Sequence, residues 1–300
     1  MFYTDEMVEY RLEPCKSALN PVRGMPFKWS LNPYMGCAHK CTFCYVRHFE
    51  HRADRPSGND YGRSIRVKTN VADVLRRELA RSSWKREEVS LGSATDPYQP
   101  AEGRFRLTRA CISELAAAST PSSIITRGPL VVRDIDVLQD ASSRVGVSVY
   151  LSIPTLDDRV WRTTEPGTAP PRSRLEAVRR LADAGIHVGV GIAPILPGLS
   201  DRRDQLEAVV LEARAAGARN IWASVVHLRP GVREHFLETL ADDWPEEVSR
   251  YEALFASRAY LPASTTASII EPVQRATASS GSNRRVPLPR REPAQLALSF

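Results

Sequence analysis

Short apolar segments alternate with amphipathic ones along the chain between residues 28 and 226. Runs typical of buried strands occur at residues 28–31, 89–94, 123–126, 145–153, 188–195 and 220–226. Between them, apolar residues recur at helical spacing at residues 107–118, at 131–138, and in segments that begin near Pro171 and Ser200. Strands that alternate with helices form a parallel sheet through right-handed crossovers. The pattern predicts an α/β fold whose functional residues gather at the carboxyl ends of six main strands.

Four regions fall outside this alternation. Residues 1–27 form an N-terminal extension, and residues 47–68 form a polar insertion within the repeating region of 28–230. Residues 231–260 are predicted to be a C-terminal helical segment with a break at Pro245. Residues 261–300 contain five prolines and a single aromatic residue, Phe300. Such a composition is poor in residues that build a core, so we expect a disordered tail.

Composition excludes a wholly disordered or fibrous chain, because 42 % of the residues are hydrophobic and 25 % are charged. The N-terminus shows no basic and apolar segments typical of a signal peptide. The most apolar stretch, residues 187–199, is too short to span a bilayer. We therefore expect a cytoplasmic protein without a membrane partner.

The net charge of +6 is compatible with an anionic partner. Most of the excess lies in two regions, the predicted tail and residues 40–68. Such local patches can attract phosphate groups, although a solvated loop and tail would look the same in the sequence. The basic residues that could contact nucleic acid are Arg47, Arg52, Arg55, Arg63 and Arg66.

Three of the five cysteines lie within eight residues, at Cys37, Cys41 and Cys44. Thiolates bind soft metals, and three of them at this spacing can hold one iron–sulfur cube. Three ligands for four irons leave one iron open to a substrate or cofactor. The odd total and the crowding do not resemble a disulfide framework.

Other interpretations of these cysteines remain open. A zinc site could recruit His39 or His48 as a fourth ligand, although zinc ribbons usually bring two separate ligand pairs. A four-cysteine cluster could recruit Cys15 or Cys111, and the cysteines could simply be buried. Cys111 lies on the apolar face of its predicted helix and is better explained as a core residue.

The cysteine spacing, with the aromatic Phe43 before the last cysteine, resembles that of radical S-adenosylmethionine (SAM) enzymes. Further motifs resemble the branch of that superfamily related to spore photoproduct lyase. They are NPYMGC at 32–37, CYVR at 44–47, TDPYQP at 95–100 followed by Glu102 and LTR at 107–109, AGI at 184–186 and PILPG at 194–198. The resemblance covers roughly residues 20–230.

The resemblance implies a partial (β/α)6 radical SAM barrel in which Cys37, Cys41 and Cys44 hold a [4Fe-4S] cluster. The open iron would bind S-adenosylmethionine, and an electron from the cluster would cleave it to a 5′-deoxyadenosyl radical that abstracts hydrogen from a substrate. An external one-electron reductant of the flavodoxin or ferredoxin type is implied as a partner. The cofactors supply the hard chemistry, and the protein supplies orientation and a dry pocket.

The resemblance also implies contacts to S-adenosylmethionine at the ends of several strands. Phe43 and Tyr45 would lie near the adenine, Ser152 near the ribose or carboxylate, and Ile192 and Pro194 against the adenine. Ser152 could instead cap a turn, and Ile192 could be a core residue. The residues that would meet the methionyl amine are Ser93, Ala94, Thr95 and Asp96.

Polar residues after the second main strand are further candidates. Asp96 is a candidate catalytic residue, and Tyr98 is a candidate hydrogen donor. Glu102 and Arg109 could join Asp96 in a pocket network or form an ion pair at a helix start. His39 lies between two of the cysteines and is expected either to support the cluster through hydrogen bonds or to lie in a solvated loop.

The last six residues resemble the peptide by which bacterial replication and repair proteins dock on the sliding clamp. Its anchors would be Gln295, Leu296, Leu298 and Phe300, held on a flexible tether. Because spore photoproduct lyase repairs DNA, the resemblance makes a DNA lesion or nucleotide the leading substrate. The alternative function is a non-enzymatic adaptor that binds zinc or an iron–sulfur cluster and nucleic acid, and docks on a sliding clamp.

Overall fold

The computed structural model describes residues 8–280, which contain a seven-stranded sheet and a three-stranded sheet. The strands are β1 (Glu9–Glu13), β2 (Leu19–Pro21), β3 (Trp29–Leu31), β4 (Tyr34–Met35), β5 (Ser64–Lys68), β6 (Val89–Leu91), β7 (Ser122–Thr126), β8 (Val147–Ser152), β9 (His187–Ile195) and β10 (Asn220–Val225). The large sheet has the order β10-β9-β8-β7-β6-β3-β2 and is parallel except at β2. This arrangement confirms the predicted α/β fold, and the sheet is open between β10 and β2.

Helices connect the parallel strands and continue beyond them. They are α1 (Val46–Arg52), α2 (Val71–Leu79), α3 (Pro100–Phe105), α4 (Leu107–Ala117), α5 (Ile135–Arg144), α6 (Asp158–Thr164), α7 (Pro171–Asp183), α8 (Arg203–Ala215), α9 (Arg233–Asp243), α10 (Val248–Phe255) and α11 (Ala263–Ser279). Two 3-10 segments, Pro129–Asp134 and Pro245–Glu247, precede α5 and α10. The predicted helix at 131–138 is therefore wrong in its bounds, because a 3-10 segment forms its first part.

Strand alternation gives the large sheet two different faces. On one face, a row of aligned apolar residues packs with the helices in the main core, as Leu91, Ile124 and Val149 illustrate. On the other face, the aligned row contains small polar residues, such as Ser90 and Ser123. The helix-covered face supplies most of the core, and the carboxyl ends of the strands remain available for a site.

The described part of the N-terminal extension, residues 8–27, contributes a strand to each of the two sheets. Strand β1 pairs in parallel with β5, and β2 pairs antiparallel with β3. Strand β5 lies in the segment interpreted as a polar insertion, where Ile65 and Val67 alternate with polar residues and are fully buried. This half-buried pattern is short, which explains why composition alone suggested a loop.

The first part of the predicted disordered tail is a helix. Strand β10 and helix α8 contact α11, where Ile269, Ile270, Val273 and Ala276 pack against the main core. The prediction failed because composition averaged over forty residues hid this helical spacing. The proposed clamp-binding peptide at 295–300 lies outside the described residues. Among residues 8–280, no helix is long and apolar enough to cross a membrane.

Candidate metal centre and cofactor site

The three cysteines of the motif share one loop that follows β4. Cys37 and Cys41 are buried, and Cys44 is half-buried. Burial raises the pKa of the Cys41 thiol to about 12 against the opposing charge of Arg127, and burial and the Asp96 charge raise that of Cys37 well above its ordinary value. Because buried thiolates need a nearby positive charge, this environment suits a bound metal, which deprotonates its thiol ligands.

The other two cysteines do not join this loop. Cys111 is fully buried in the main core, and the Cys15 backbone N–H donates to the Asn70 side chain at 2.7 Å. The two histidines considered as zinc ligands also have other neighbours. His39 Nδ1 lies 3.3 Å from an Asp96 oxygen, and His48 Nδ1 lies 2.9 Å from the Pro230 carbonyl.

Within residues 8–280, no three Cys, His, Asp or Glu side chains are arranged as ligands of a single metal ion. The donor set at the loop is three cysteine thiols within eight residues of the chain. Such a set fits an iron–sulfur cube with one open iron.

The segment after β6 holds the cysteine loop in place. The Thr95 hydroxyl and the Gln99 amide both donate to the Gly36 carbonyl, at 2.6 and 3.1 Å. The Gln99 carbonyl oxygen accepts from the Ala38 backbone N–H at 2.9 Å. Thr95 therefore lies beside the cysteine loop, and its hydroxyl supports that loop.

Arg47 lies beneath the loop and is not available to phosphate groups, contrary to the prediction. Its guanidinium donates to the carbonyls of Lys40 and Cys41 at 3.1 Å, and to those of Ser57 and Gly58 at 2.7 Å. Burial lowers its pKa. The buried guanidinium therefore links the cysteine loop to the segment at residues 57–58.

The remaining basic residues of the predicted patch differ in exposure. Arg55 pairs with Glu50, which also lies 4.0 Å from Arg66. Arg63 pairs with Asp60 at 2.9 Å. Arg52 is exposed at the end of α1. Ion pairing within the segment therefore reduces the positive patch inferred from the sequence.

Two glycines allow other segments to approach the loop closely. A Cβ atom at Gly62 would lie 2.4 Å from the Cys37 carbonyl, and one at Gly167 would lie 2.4 Å from the Ala38 carbonyl. The Gly167 N–H also donates to the His39 carbonyl at 3.0 Å. Any larger residue at these two positions would displace the cysteine loop.

Asp96 connects the loop to the end of β7. Its carboxylate accepts from the Thr126 hydroxyl and the Arg127 N–H, both at 2.6 Å, and from the Tyr98 N–H at 2.9 Å. Although burial raises the pKa of Asp96, His39 and these donors lower it to about 2. Together with His39, these contacts occupy both oxygens, so the structure favours a positioning role over direct contact with the methionyl amine.

Arg127, Glu165 and Arg174 form a buried charge network that sequence reasoning missed. Arg127 Nε donates to Glu165 at 2.6 Å, and Arg174 donates to both Glu165 oxygens at 3.1 Å. The Arg127 guanidinium lies 5.5 Å from the centre of the Phe43 ring, and its side chain is 21 % exposed. The position of Arg127 directly after a strand was a usable signal, whereas nothing in the sequence singled out Glu165 or Arg174.

Most of the predicted cofactor contacts lie around this edge of the sheet. Phe43 is buried beside Cys41, and the exposed Tyr45 donates its hydroxyl to the Ser93 carbonyl. Ser93 and Ala94 are half-buried and are held by Asn32, whose side-chain oxygen accepts from the Ala94 N–H at 2.9 Å.

Two further predicted contacts lie at the ends of β8 and β9. Ser152 ends β8 and is buried, with its carbonyl bound by Arg174 at 2.9 Å. Pro194 is half-buried near the end of β9, where the preceding Ala193 carbonyl accepts from Arg127 at 2.9 Å.

Two predicted residues belong to the core instead. Ile192 has no exposed surface and packs in the main core with Val188 and Val190, because residues two apart in a strand share a face. Tyr98 is buried in the same core, where burial and the Asp134 carboxylate raise its pKa well above the ordinary value. Tyr98 is thus poorly placed to be a hydrogen donor.

Glu102 is part of a structural cluster rather than of the pocket. Its carboxylate accepts from the Tyr34 hydroxyl at 2.5 Å, the Thr108 N–H at 2.9 Å and Arg133 at 2.9 Å. The Arg109 side chain instead pairs with Asp134 and Asp136. The Glu102 carboxylate therefore accepts from backbone N–H groups in the first turn of α4 and pairs with the half-buried Arg133.

Comparison with solved structures supports this fold at low sequence identity. Spore photoproduct lyase complexed with dinucleoside spore photoproduct matches with a TM-score of 0.68 and 13 % identity, over 90 % of this chain and 79 % of that chain. Methylornithine synthase matches with a TM-score of 0.51 and 13 % identity, over 93 % and 65 %. These matches concern the fold alone.

Sequence relatives and a family model extend the comparison. An uncharacterized protein of Mycobacterium tuberculosis is 43 % identical over 253 residues, covering 83 % of this chain and 74 % of the relative. An uncharacterized protein of Acidianus two-tailed virus is 30 % identical over 224 residues, covering 71 % of each. The model of the radical SAM superfamily matches residues 31–210, which include the three cysteines and the strands around them. This chain therefore belongs to the radical SAM superfamily.

Proposed function

We propose that this protein is an enzyme that cleaves S-adenosylmethionine reductively and uses the product for hydrogen abstraction. When bound, the [4Fe-4S] cluster supplies the electron that splits the sulfonium into methionine and a 5′-deoxyadenosyl radical. The observation that carries the proposal is the set of three thiols, Cys37, Cys41 and Cys44, gathered in one braced loop at the carboxyl edge of the parallel sheet. Three cysteine ligands leave one iron of the cube open.

The residues around the loop have complementary tasks in this proposal. Phe43 and Tyr45 offer aromatic faces to the adenine, and the partly exposed Arg127 offers a cation to the methionyl carboxylate. Asp96 and Glu165 hold Arg127 through its backbone and side chain. The other proposed contacts to S-adenosylmethionine are Ser93, Ala94, Ser152 and Pro194.

We further propose a DNA lesion or a nucleotide as the substrate. Support comes from the motif resemblance to the spore photoproduct lyase branch and from the fold shared with that lyase. Enzymes of this superfamily need an external reductant, and we propose a flavodoxin or ferredoxin type, acting in the cytoplasm. Docking on a sliding clamp through Gln295, Leu296, Leu298 and Phe300 is part of the same proposal.

Anaerobic reconstitution with iron and sulfide tests the proposed reaction. With dithionite and S-adenosylmethionine, the protein should release 5′-deoxyadenosine and methionine. Cys41→Ala should lose both the cluster absorbance and the release, because a cube with two remaining ligands is poorly held. Cys15→Ser is the matched control and should retain both.

Two outcomes would contradict the proposal. One is an intact iron–sulfur cluster without release of 5′-deoxyadenosine under reducing conditions. The other is tight binding of zinc instead of iron, with nucleic-acid binding retained in Cys41→Ala, which would favour the adaptor.

A further inference from the structure

Four aromatic side chains form a continuous row that passes beside the cysteine loop and is exposed at both ends. The ring centres of Phe49 and Tyr45 lie 6.3 Å apart, and those of Tyr45 and His227 lie 5.9 Å apart. His227 and Tyr260 are stacked at 4.8 Å with 13° between their planes. We call these four residues the aromatic row.

The row is accessible although large aromatic side chains are usually well buried. Tyr45, Phe49 and Tyr260 are 39, 46 and 53 % exposed. Its second member, Tyr45, directly follows Cys44 and belongs to the proposed cofactor site. The row therefore connects the site to the outer surface, and contiguous exposed apolar groups of this kind are typical of binding surfaces.

Contacts between three chain segments hold the row in position. The Leu228 N–H donates to the Ala259 carbonyl at 2.9 Å, which brings the residues beside His227 and Tyr260 together. On the other side, His48 contacts the Pro230 carbonyl at 2.9 Å, so α1 is fixed against the segment after β10. A preformed surface loses little conformational entropy when a ligand binds.

Two arginine side chains lie next to the aromatic row. The Arg229 guanidinium lies 5.6 Å from the Tyr260 ring centre and donates to its hydroxyl at 3.0 Å. Arg52 is exposed three residues after Phe49 and thus on the same side of α1. The nearby Glu234 carboxylate accepts from the Gly231 N–H and lies 3.6 Å from Arg233.

We propose that the aromatic row binds an unpaired stretch of DNA, an inference that rests on the proposed nucleic-acid substrate. Bases would stack on the rings of Phe49, His227 and Tyr260, since every base has a flat apolar face. Arg229 and Arg52 would contact the phosphates. Burial and the Arg229 charge lower the pKa of His227, so its ring is neutral and stacks without repelling Arg229 at neutral pH.

Fluorescence anisotropy with a labelled single-stranded oligodeoxynucleotide tests the inference on the reconstituted full chain. Tyr260→Ala and Phe49→Ala should each weaken binding about tenfold, whereas Tyr260→Phe should bind almost as tightly because it keeps the ring. Arg229→Gln should reduce the slope of log affinity against log salt by about one. Leu211→Ala, an exposed apolar residue on α8, is the matched control and should bind normally.

Several results would overturn the inference. They are binding that the alanine variants leave unchanged, tighter binding of duplex DNA or of RNA of the same sequence, and displacement of the oligonucleotide only by aromatic peptides. The assay does not require turnover. If 5′-deoxyadenosine is released but DNA does not bind through the row, the inference fails and the radical chemistry stands. If DNA binds through the row without any release, the proposed reaction fails instead.

Discussion

Two clusters of buried charge that lie close together in the sequence show different organisation. The Asp96 cluster consists of Asp96, His39, Thr126 and Arg127, and it joins the cysteine loop to the end of β7. The Glu102 cluster consists of Glu102, Tyr34, Thr108 and Arg133, and it joins β4, α4 and the 3-10 segment after β7.

The difference lies in what each cluster presents to a ligand. In the Glu102 cluster, the fully buried carboxylate receives donors from all sides and contributes to the interior. In the Asp96 cluster, the carboxylate is also saturated, but Arg127 extends past it to a partly exposed position beside Phe43. A buried carboxylate is therefore a weak indicator of a site, and the accessible cation next to the thiols is the stronger one.

The largest effect on stability is expected from Glu102→Ala. The change leaves the buried Tyr34 hydroxyl without its acceptor, uncaps α4 and leaves Arg133 paired with Asp134 alone, so the free energy of unfolding should fall by about 3 kcal/mol. Urea unfolding measures the change. The matched control Glu114→Ala, on the following helix α4, removes an ion pair with the exposed Arg76 and should cost less than about 1 kcal/mol. Normal stability with lost 5′-deoxyadenosine release would place Glu102 in the active site instead.

A smaller effect is expected from His235, which is buried and whose Nδ1 has no hydrogen-bond partner among residues 8–280. Burial and the charge of Arg47 lower the pKa of His235 to about 4. As pH falls below about 6.5, the unfolded chain takes up a proton that folded His235 resists, so stability decreases. Between pH 7.5 and pH 5 this loss should be about 2 kcal/mol, and urea unfolding of His235→Phe should lack it. If the free energy of unfolding of the unaltered protein and of His235→Phe depends on pH in the same way, burial of His235 does not make stability depend on pH.

The smallest effect is expected from Arg127→Met. Glu165 keeps its pairing with Arg174, and Asp96 keeps its hydrogen bond from the backbone N–H of residue 127. The fold and the binding of the iron–sulfur cluster should therefore persist. Loss of the cation should raise the KM for S-adenosylmethionine about tenfold, with a smaller change in kcat. Arg133→Met, from the Glu102 cluster, should lower stability and leave this KM unchanged. An unchanged KM in Arg127→Met would remove the proposed carboxylate contact.

The sequence predicted the alternation of strands and helices well because buried parallel strands are apolar runs and their helices are amphipathic. The cysteine motif could also be predicted from the sequence, since its three proposed ligands lie within one short loop. Contacts between residues far apart in the sequence could not be predicted. Glu165 and Arg174 reach Arg127 only through the fold, and no local pattern distinguishes them from surface charges.

The incorrect predictions arose because the sequence does not show in which direction a side chain points or what surrounds it. The family resemblance placed Ile192 against the adenine with a core role as the alternative, and Tyr98 was a candidate hydrogen donor, but both side chains lie in the core. Arg47 was assigned to a phosphate-binding surface by its charge, but its guanidinium is buried among carbonyl oxygens. Helix α11 was missed because serine and threonine outnumber its few anchoring residues.

The contacts between the cysteine loop and the segment around Gly167 have a consequence for biosynthesis. The Thr42 N–H donates to the Thr164 carbonyl, and the Gly167 N–H donates to the His39 carbonyl. The ribosome releases the cysteines first and these partners only after more than a hundred further residues, and domains fold from the N-terminus as they emerge. The nascent chain thus passes through a stage in which the thiols are present and their cover is not yet made. Until residues 164–167 have emerged, the cysteine loop therefore lacks two of the backbone hydrogen bonds that hold it in the folded protein.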